Sequence, residues 1–200
     1  MSYHPNYFNP EGAHRSDCEH RMNMIKETLS EAPSVIDVGC SGGYYSFAMR
    51  DKYNGYVFGI DTEDDLIEGC QKLAVDNDVD GVVFQRLELS DYLINEKERF
   101  NVALYMSAHH HVIARHGMKL ANYLLKTLSN RCKVMYFDMG QKSENCPSTS
   151  WWNLLTACPD QKKWLVDYLF ENTVYKKIEI IGSSKIHDTD RYFIRMSNEV

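Results

Sequence analysis

Val35-Ile36-Asp37-Val38-Gly39-Cys40-Ser41-Gly42-Gly43-Tyr44 is the stretch on which the fold turns. A run of β-forming residues enters a glycine-rich turn, and a stretch able to form a helix follows from Tyr44 to about Lys52. Glycine adopts backbone angles that other residues rarely take and lets a ligand approach the main chain closely. In an open α/β sheet, ligands bind beyond the carboxyl ends of the strands. The dinucleotide fingerprint G-x-G-x-x-G does not fit: counted from Gly39, its second glycine falls on Ser41 and its third on Tyr44. Instead Asp37 precedes the turn. A carboxylate there repels a pyrophosphate and attracts a cationic cofactor.

Working outward, Ser34–Val38 reads as the first strand and Tyr56–Ile60 as the second, ending at Asp61. Asp64 to about Val75 is predicted helical, with Leu66, Ile67, Cys70 and Leu73 on one face. Gly81 introduces a third strand at Val82–Phe84, Phe100–Met106 is a fourth and Lys133–Phe137 a fifth. Helices are expected from Met118 to about Leu128 and from Gln161 to about Glu171. Val174–Ile181 and Tyr192–Met196 are strand-like, and roughly ten residues between them are too few for a helical crossover, so they should form an antiparallel hairpin. Before the first strand, a helix is expected around Glu19–Leu29, and Met1–Ser16 as an irregular arm or lid. Alternating strands and helices predict the α/β class.

Two more acidic residues fall at strand ends. Asp61 can accept two hydrogen bonds from the hydroxyls of a ribose, and Glu88, after the third strand, suits an adenine amino group. Each alone also reads as a solvated loop carboxylate. Their conjunction with Asp37 and the glycine turn favours a site.

Composition narrows the function classes. A chain of 200 residues and 23.2 kDa allows one compact domain able to bury a core without disulfides or structural metal. With 44% hydrophobic and 25% charged residues, it is neither disordered, collagen-like nor a coiled-coil rod. No apolar stretch approaches the ~18 residues of a membrane span, and the first residues show no apolar signal core, so a cytoplasmic location is expected. A net charge of −6 argues against a broad nucleic-acid surface. Cys18, Cys40, Cys70, Cys132, Cys146 and Cys158 form no C-x-x-C and are expected as reduced thiols. His14, Cys18 and His20 lie close in sequence but lack a recognised fourth ligand, so no metal is expected there.

From Ser34 onward these features resemble the class I S-adenosylmethionine-dependent methyltransferases. Asp37-Val-Gly39-Cys-Ser41-Gly-Gly43 resembles their first motif, with Ser41 where many members carry glycine. Gly59-Ile60-Asp61 resembles the second, and Glu88 takes the acidic position of the third. Tyr105-Met-Ser-Ala-His109-His110-His111 resembles the fourth-strand pattern apolar-Ser-x-x-His-His. The resemblance implies a Rossmann-like, seven-stranded, mostly parallel sheet of order 3-2-1-4-5-7-6 with a C-terminal antiparallel hairpin. It implies a methyltransferase domain over residues 34–200, with residues 1–33 as an arm and helix on the lid or acceptor side. The cofactor would be S-adenosylmethionine, held by Arg21, Asp37, Gly39, Ser41, Gly43, Asp61, Thr62, Glu88, Leu89 and Met106. A narrower similarity is to bacterial polysaccharide-modifying methyltransferases, including the methyltransferase part of O-antigen chain terminators. It rests on Tyr3-His-Pro, Arg21, the double histidine, Met139-Gly-Gln-Lys-Ser-Glu144 and Trp151-Trp152. A 200-residue chain is expected to lack the kinase domain that some of those proteins carry.

Methyl transfer from a sulfonium is an in-line displacement governed by positioning of the acceptor. An alcohol acceptor must also lose a proton, and histidine, with an ordinary pKa of about 6.5, suits the base. His110 and His111 are therefore the candidate catalytic residues, with His109, Tyr3, Trp151 and Trp152 on the acceptor side. The alternative is that the histidines cap a helix or orient the loop and the tryptophans anchor it. Arg21 would pair with the methionyl carboxylate of the cofactor. Adjacent histidines point in different directions and lack an acidic partner, so no metal is expected among them. The function expected is O-methyl transfer to a small-molecule or glycan acceptor. An RNA methyltransferase is disfavoured by the acidic charge, and an NAD-linked oxidoreductase by the glycine spacing and the hairpin. An inactive cofactor-binding partner subunit would differ in transferring no methyl group to any acceptor. The oligomeric state is not written in the sequence.

Overall fold

The apolar run Ser34–Val38 forms β1, whose last four residues are all buried, as expected of a central parallel strand covered on both faces. Asp37 is the one acidic residue in that run. The structure, a computed structural model, describes residues 7–8, 17–155, 157–186 and 189–198. It divides into two compact units, Met1–Leu104 and Tyr105–Val200, the division falling inside the fourth strand.

The first unit holds α1 (Cys18–Thr28), β1, α2 (Tyr44–Tyr53), β2 (Tyr56–Asp61), α3 (Asp64–Asp76), β3 (Val82–Arg86), α4 (Leu89–Asn95) and most of β4 (Phe100–Met106). β1 lies parallel between β2 and β4, with Asp37 opposite Gly59 on one side and Leu104 on the other. Cys40, Phe47, Ile67, Cys70 and Phe84 form one buried cluster of this unit. Asn54 ends α2 in the left-handed region at φ 54°, with its N–H returned to the Arg50 carbonyl.

The second unit carries α5 (His109–His116), α6 (Met118–Ser129), β5 (Cys132–Asp138), 3-10 turns at Lys142–Glu144 and Trp152–Leu154, α7 (Gln161–Asn172), β6 (Lys177–Ile186) and β7 (Thr189–Ser197). β7 is antiparallel to both β5 and β6. The sheet order is β3-β2-β1-β4-β5-β7-β6, with the C-terminal hairpin that the resemblance implied.

Several boundaries differ from expectation. The hairpin strands are longer: Gly182-Ser183-Ser184 lies within β6 and does not form a turn. Ile180 pairs with Ile194 and Gly182 with Phe193, so Ile181 is an extra residue that the ladder absorbs as a bulge. Neither α4 nor α5 was expected, and the three histidines open α5 where a loop after β4 was anticipated. Apart from Tyr7 and Phe8, the N-terminal arm, including Tyr3, lies outside the described residues. Among the described residues no helix is long and apolar enough to cross a membrane.

Candidate active site

In the first unit the glycine turn is tied to the end of β2. The Gly39 and Cys40 N–H groups both donate to the Ile60 carbonyl, at 2.8 and 3.0 Å. Asp61 accepts the Ser41 N–H on Oδ2 at 2.9 Å and the Glu63 N–H on Oδ1 at 3.1 Å. Gly39, Ser41 and Gly43 all have positive φ, at 74°, 49° and 77°. Ser41 takes this left-handed conformation without being glycine, held there by its bond to Asp61. Gly43 has no such freedom of replacement. A Cβ there would stand 2.9 Å from the Phe47 ring and 3.0 Å from Cys70 Sγ.

Asp37 is buried, and the Ser46 hydroxyl donates to its Oδ2 at 2.7 Å. Burial pushes its carboxyl up to about 7; the Ser46 bond opposes this and the neighbouring Asp61 charge adds to it. Among the described residues no Lys or Arg side chain pairs with Asp37 or Asp61. A buried acid next to a second carboxylate, with no protein cation, is a donor set that a cationic ligand completes.

The remaining expected residues of this unit take various places. Arg21 is buried on α1 and its Nε binds Asp17 Oδ2 at 2.8 Å, unlike a solvated surface arginine. The Thr62 carbonyl accepts from Arg86 Nε at 3.2 Å. Glu88 stands just before α4, half-buried, with the Ser90 hydroxyl 3.4 Å from its Oε2, and Leu89 is buried as the first residue of α4. Tyr7 packs edge-on against Tyr44 and donates its hydroxyl to Asp51 at 2.9 Å.

In the second unit Met106 is buried at the end of β4, and Ser107 follows in the left-handed region at φ 55°. The Ser107 N–H and hydroxyl both donate to Asp138 Oδ1, and Arg191 donates to Ser107 Oγ at 3.1 Å. Arg191 also forks onto Glu144: its Nε lies 2.8 Å from Oε1 while a terminal nitrogen meets Oε2. Both partners are buried, and Glu144 Oε1 accepts the Gln141 N–H at 2.9 Å as well.

The three histidines differ sharply. His109 is fully buried, with Nδ1 3.1 Å from the Tyr105 hydroxyl and Nε2 2.7 Å from that of Tyr168. Tyr168 in turn donates to Asn122 Oδ1. Burial pushes His109 down to about 3, so the ring is neutral. Both its ring nitrogens are taken by tyrosine hydroxyls. His110 is buried and its Nδ1 accepts the Gly140 N–H at 2.9 Å. Burial, first, and the charges of His111 and Arg191 hold it well below the usual histidine range. The His111 side chain is exposed, with its ring centroid 4.2 Å from that of His110.

The two tryptophans serve the same loop. Trp151 is buried and packs edge-on against His110 at 4.7 Å; a Cβ on Gly140 would come within 2.8 Å of its ring. Trp152 donates from Nε1 to the Lys142 carbonyl at 2.9 Å, and Lys142 Nζ lies 3.4 Å from its ring centroid. Ser107, Asp138, Glu144 and Arg191 were not singled out from sequence. Two of them did stand in quoted motifs, Ser107 as the serine of the fourth-strand pattern and Glu144 at the end of Met139-Gly-Gln-Lys-Ser-Glu144. Among the described residues no group of three or more His, Cys, Asp or Glu side chains is arranged to hold a metal ion.

A family model described as a methyltransferase domain matches residues 29–176. The O-antigen chain terminator bifunctional methyltransferase/kinase WbdD of Escherichia coli is 26% identical over 149 residues, covering 70% of this chain and 20% of that protein. The chain thus spans about a fifth of the length of the curated relatives it matches. Among solved structures, the bifunctional kinase-methyltransferase WbdD superposes with a TM-score of 0.83 at 23% identity, over 99% of this chain and 44% of that one. The N-terminal domain of EvdMO1, crystallised in the presence of SAH and D-fucose, gives 0.68 at 12% identity over 94% and 85%. The N-methyltransferase NodS of Bradyrhizobium japonicum WM9 gives 0.63 at 13% over 89% and 93%. At these identities the solved structures share the fold, and the family model, which takes in most of the chain, shows that it belongs to that methyltransferase-domain family.

Proposed function

We propose that this chain is an S-adenosylmethionine-dependent methyltransferase that methylates an oxygen of a small-molecule or glycan acceptor. The observation that carries the cofactor assignment is the Asp37–Asp61 site. Two backbone N–H groups fix the Asp61 carboxylate and leave it lone pairs for the adjacent hydroxyls of a ribose. Asp37, buried and short of a cation, favours a ligand that brings positive charge. Gly39, Ser41 and Gly43 give the main chain its close approach, and Arg21, Thr62, Glu88, Leu89 and Met106 complete the cofactor residues. When bound, the cofactor supplies a methyl group already activated by its sulfonium charge.

This chain's part is then to hold the acceptor and accept its hydroxyl proton. His111, exposed beside His110, is the group assigned to that proton, with Trp151 and Trp152, and Tyr3 from the sequence alone, as the acceptor residues. A glycan acceptor is supported by the O-antigen chain terminator among the relatives and by the D-fucose used with EvdMO1. A net charge of −6 weighs against nucleic acid. Six cysteines, none of them in a disulfide, suit the reducing cytoplasm.

Calorimetry with S-adenosylmethionine and its demethylated product tests the cofactor. Binding of both is expected. Binding of NAD with neither of these would overturn the assignment. Transfer of a labelled methyl group to hydroxylated sugars then tests the acceptor class. Cofactor binding without transfer to any acceptor would favour a non-catalytic partner subunit.

A further inference from the structure

The middle of the three histidines opening α5 is held by a main-chain amide. Gly140 donates its N–H to His110 Nδ1 at 2.9 Å. An amide nitrogen cannot accept, so Nδ1 presents its lone pair and the neutral ring carries its hydrogen on Nε2. That Nε2 has no hydrogen-bonding partner among the described residues, although the side chain is only 3% exposed. The nitrogen itself is not sealed in, since it is not among the fully shielded polar atoms that lack a partner. Here it is left for a ligand.

The Gly140 amide is itself fixed. Trp151 covers it so closely that no Cβ would fit. Glu144, four residues on, accepts the next N–H in the chain, that of Gln141, and is gripped by Arg191. The same guanidinium donates to Ser107, three residues before His110, whose bonds to Asp138 set the entry to α5. One buried arginine therefore anchors both partners of the His110–Gly140 bond.

We infer that Arg191 and Glu144 are positioning residues that hold His110 as its neutral Nε2–H tautomer, making it a hydrogen-bond donor to an acceptor oxygen and not the base of methyl transfer. The acceptor part of this inference rests on the function proposed above; the tautomer does not. The charged and titratable groups facing the ring are His109 and His111 from α5, Arg191 from β7 and Asp138 from the end of β5. All but Asp138 oppose a second proton, and so does burial. The acceptor's proton then falls to His111.

Long-range proton–nitrogen NMR of the full chain labelled at histidine nitrogens tests this, with His110 assigned by loss of its signal in His110→Gln. The wild-type spectrum should show the Nε2–H pattern, unchanged from about pH 5 to about pH 8. An Nδ1–H pattern, or titration near the ordinary ~6.5, would overturn the donor role. Arg191→Lys keeps the charge but loses the two-pronged grip. A folded Arg191→Lys should populate both tautomers or titrate, and a folded variant with the wild-type pattern would overturn the positioning role. Glu144→Gln carries the same two outcomes if Arg191→Lys does not fold. Cofactor affinity is measured apart from these spectra, so failure of the cofactor assignment leaves the tautomer result standing.

Discussion

The Ser46 hydroxyl meets Asp37 Oδ2 at 2.7 Å inside the first unit, so the buried acid of the glycine turn is bound by a neutral donor from α2. Its carboxyl is raised from 3.8 to about 7. Between these values the unfolded chain loses the proton while the folded chain keeps it. The contribution of Asp37 to stability is therefore fully present at low pH and is lost as pH rises towards 7, with no further change above that. At about 1.4 kcal/mol per unit, the whole effect is on the order of a few kcal/mol. Asp37→Asn should remove this dependence. Urea unfolding at about pH 4 and about pH 8 should show the variant gaining on the wild type at the higher pH. A difference independent of pH would contradict it.

The same carboxyl makes cofactor binding pH-dependent. A cationic ligand prefers the ionised form, so binding should release a proton and tighten as pH rises through about 7, then level off. Calorimetry in buffers of different ionisation enthalpy counts that proton directly. Uptake in place of release would reverse the assignment of charge.

Asp61→Ala should weaken S-adenosylmethionine at least tenfold, a loss of ~1.5–3 kcal/mol expected when hydrogen bonds to a charged group are removed. It also strips the Ser41 and Glu63 N–H groups of their acceptor, so the turn should loosen. Asp61→Asn, which keeps an acceptor oxygen, should lose less. Equal affinity of Asp61→Ala and wild type would remove Asp61 from the site.

Gly43→Ala should be destabilising on two counts, a left-handed φ of 77° and a Cβ 2.9 Å from the Phe47 ring. Overpacking of this kind costs ~1–3 kcal/mol. In a domain of this size each kcal/mol lowers the melting temperature by about 2–4 °C. Thermal unfolding followed by circular dichroism gives the answer.

His109→Leu should destabilise by ~1–3 kcal/mol, because it leaves the buried Tyr105 hydroxyl without its bond while Tyr168 retains Asn122. The urea midpoint should fall at constant slope. Unaltered stability would mean that the tyrosine pair does not depend on this ring.

The strands and the glycine turn were legible because they are local: apolar runs, turn glycines and acids at strand ends all lie within short windows, whereas the strand order followed only from the family resemblance of those motifs. α5 was not, since it begins at Ala108 without a side-chain cap and three histidines carry no helical pattern. Nor was the division of labour among those histidines. Each successive residue of a helix turns by about 100°, so identical neighbours meet different surroundings, and only the packing partners Tyr105, Tyr168 and Gly140 tell them apart. The Glu144–Arg191 pair joins residues 47 apart, a separation that leaves no spacing to recognise. Gly182-Ser183-Ser184 fell in the expected connection after Ile181 and lies instead within β6, where the bulge at Ile181 keeps it paired with β7.

α5 has eight residues, fewer than an isolated helix needs to persist in water. It stands because Ser107 is pinned by Asp138, His109 by two tyrosines and His110 by Gly140. Ordering a residue's backbone takes ~1–2 kcal/mol, and here that expense falls on folding. On the function proposed above, an arriving acceptor would meet a helix already in shape, so its encounter rate would be set by diffusion and orientation and not by the slow ordering of the segment that greets it.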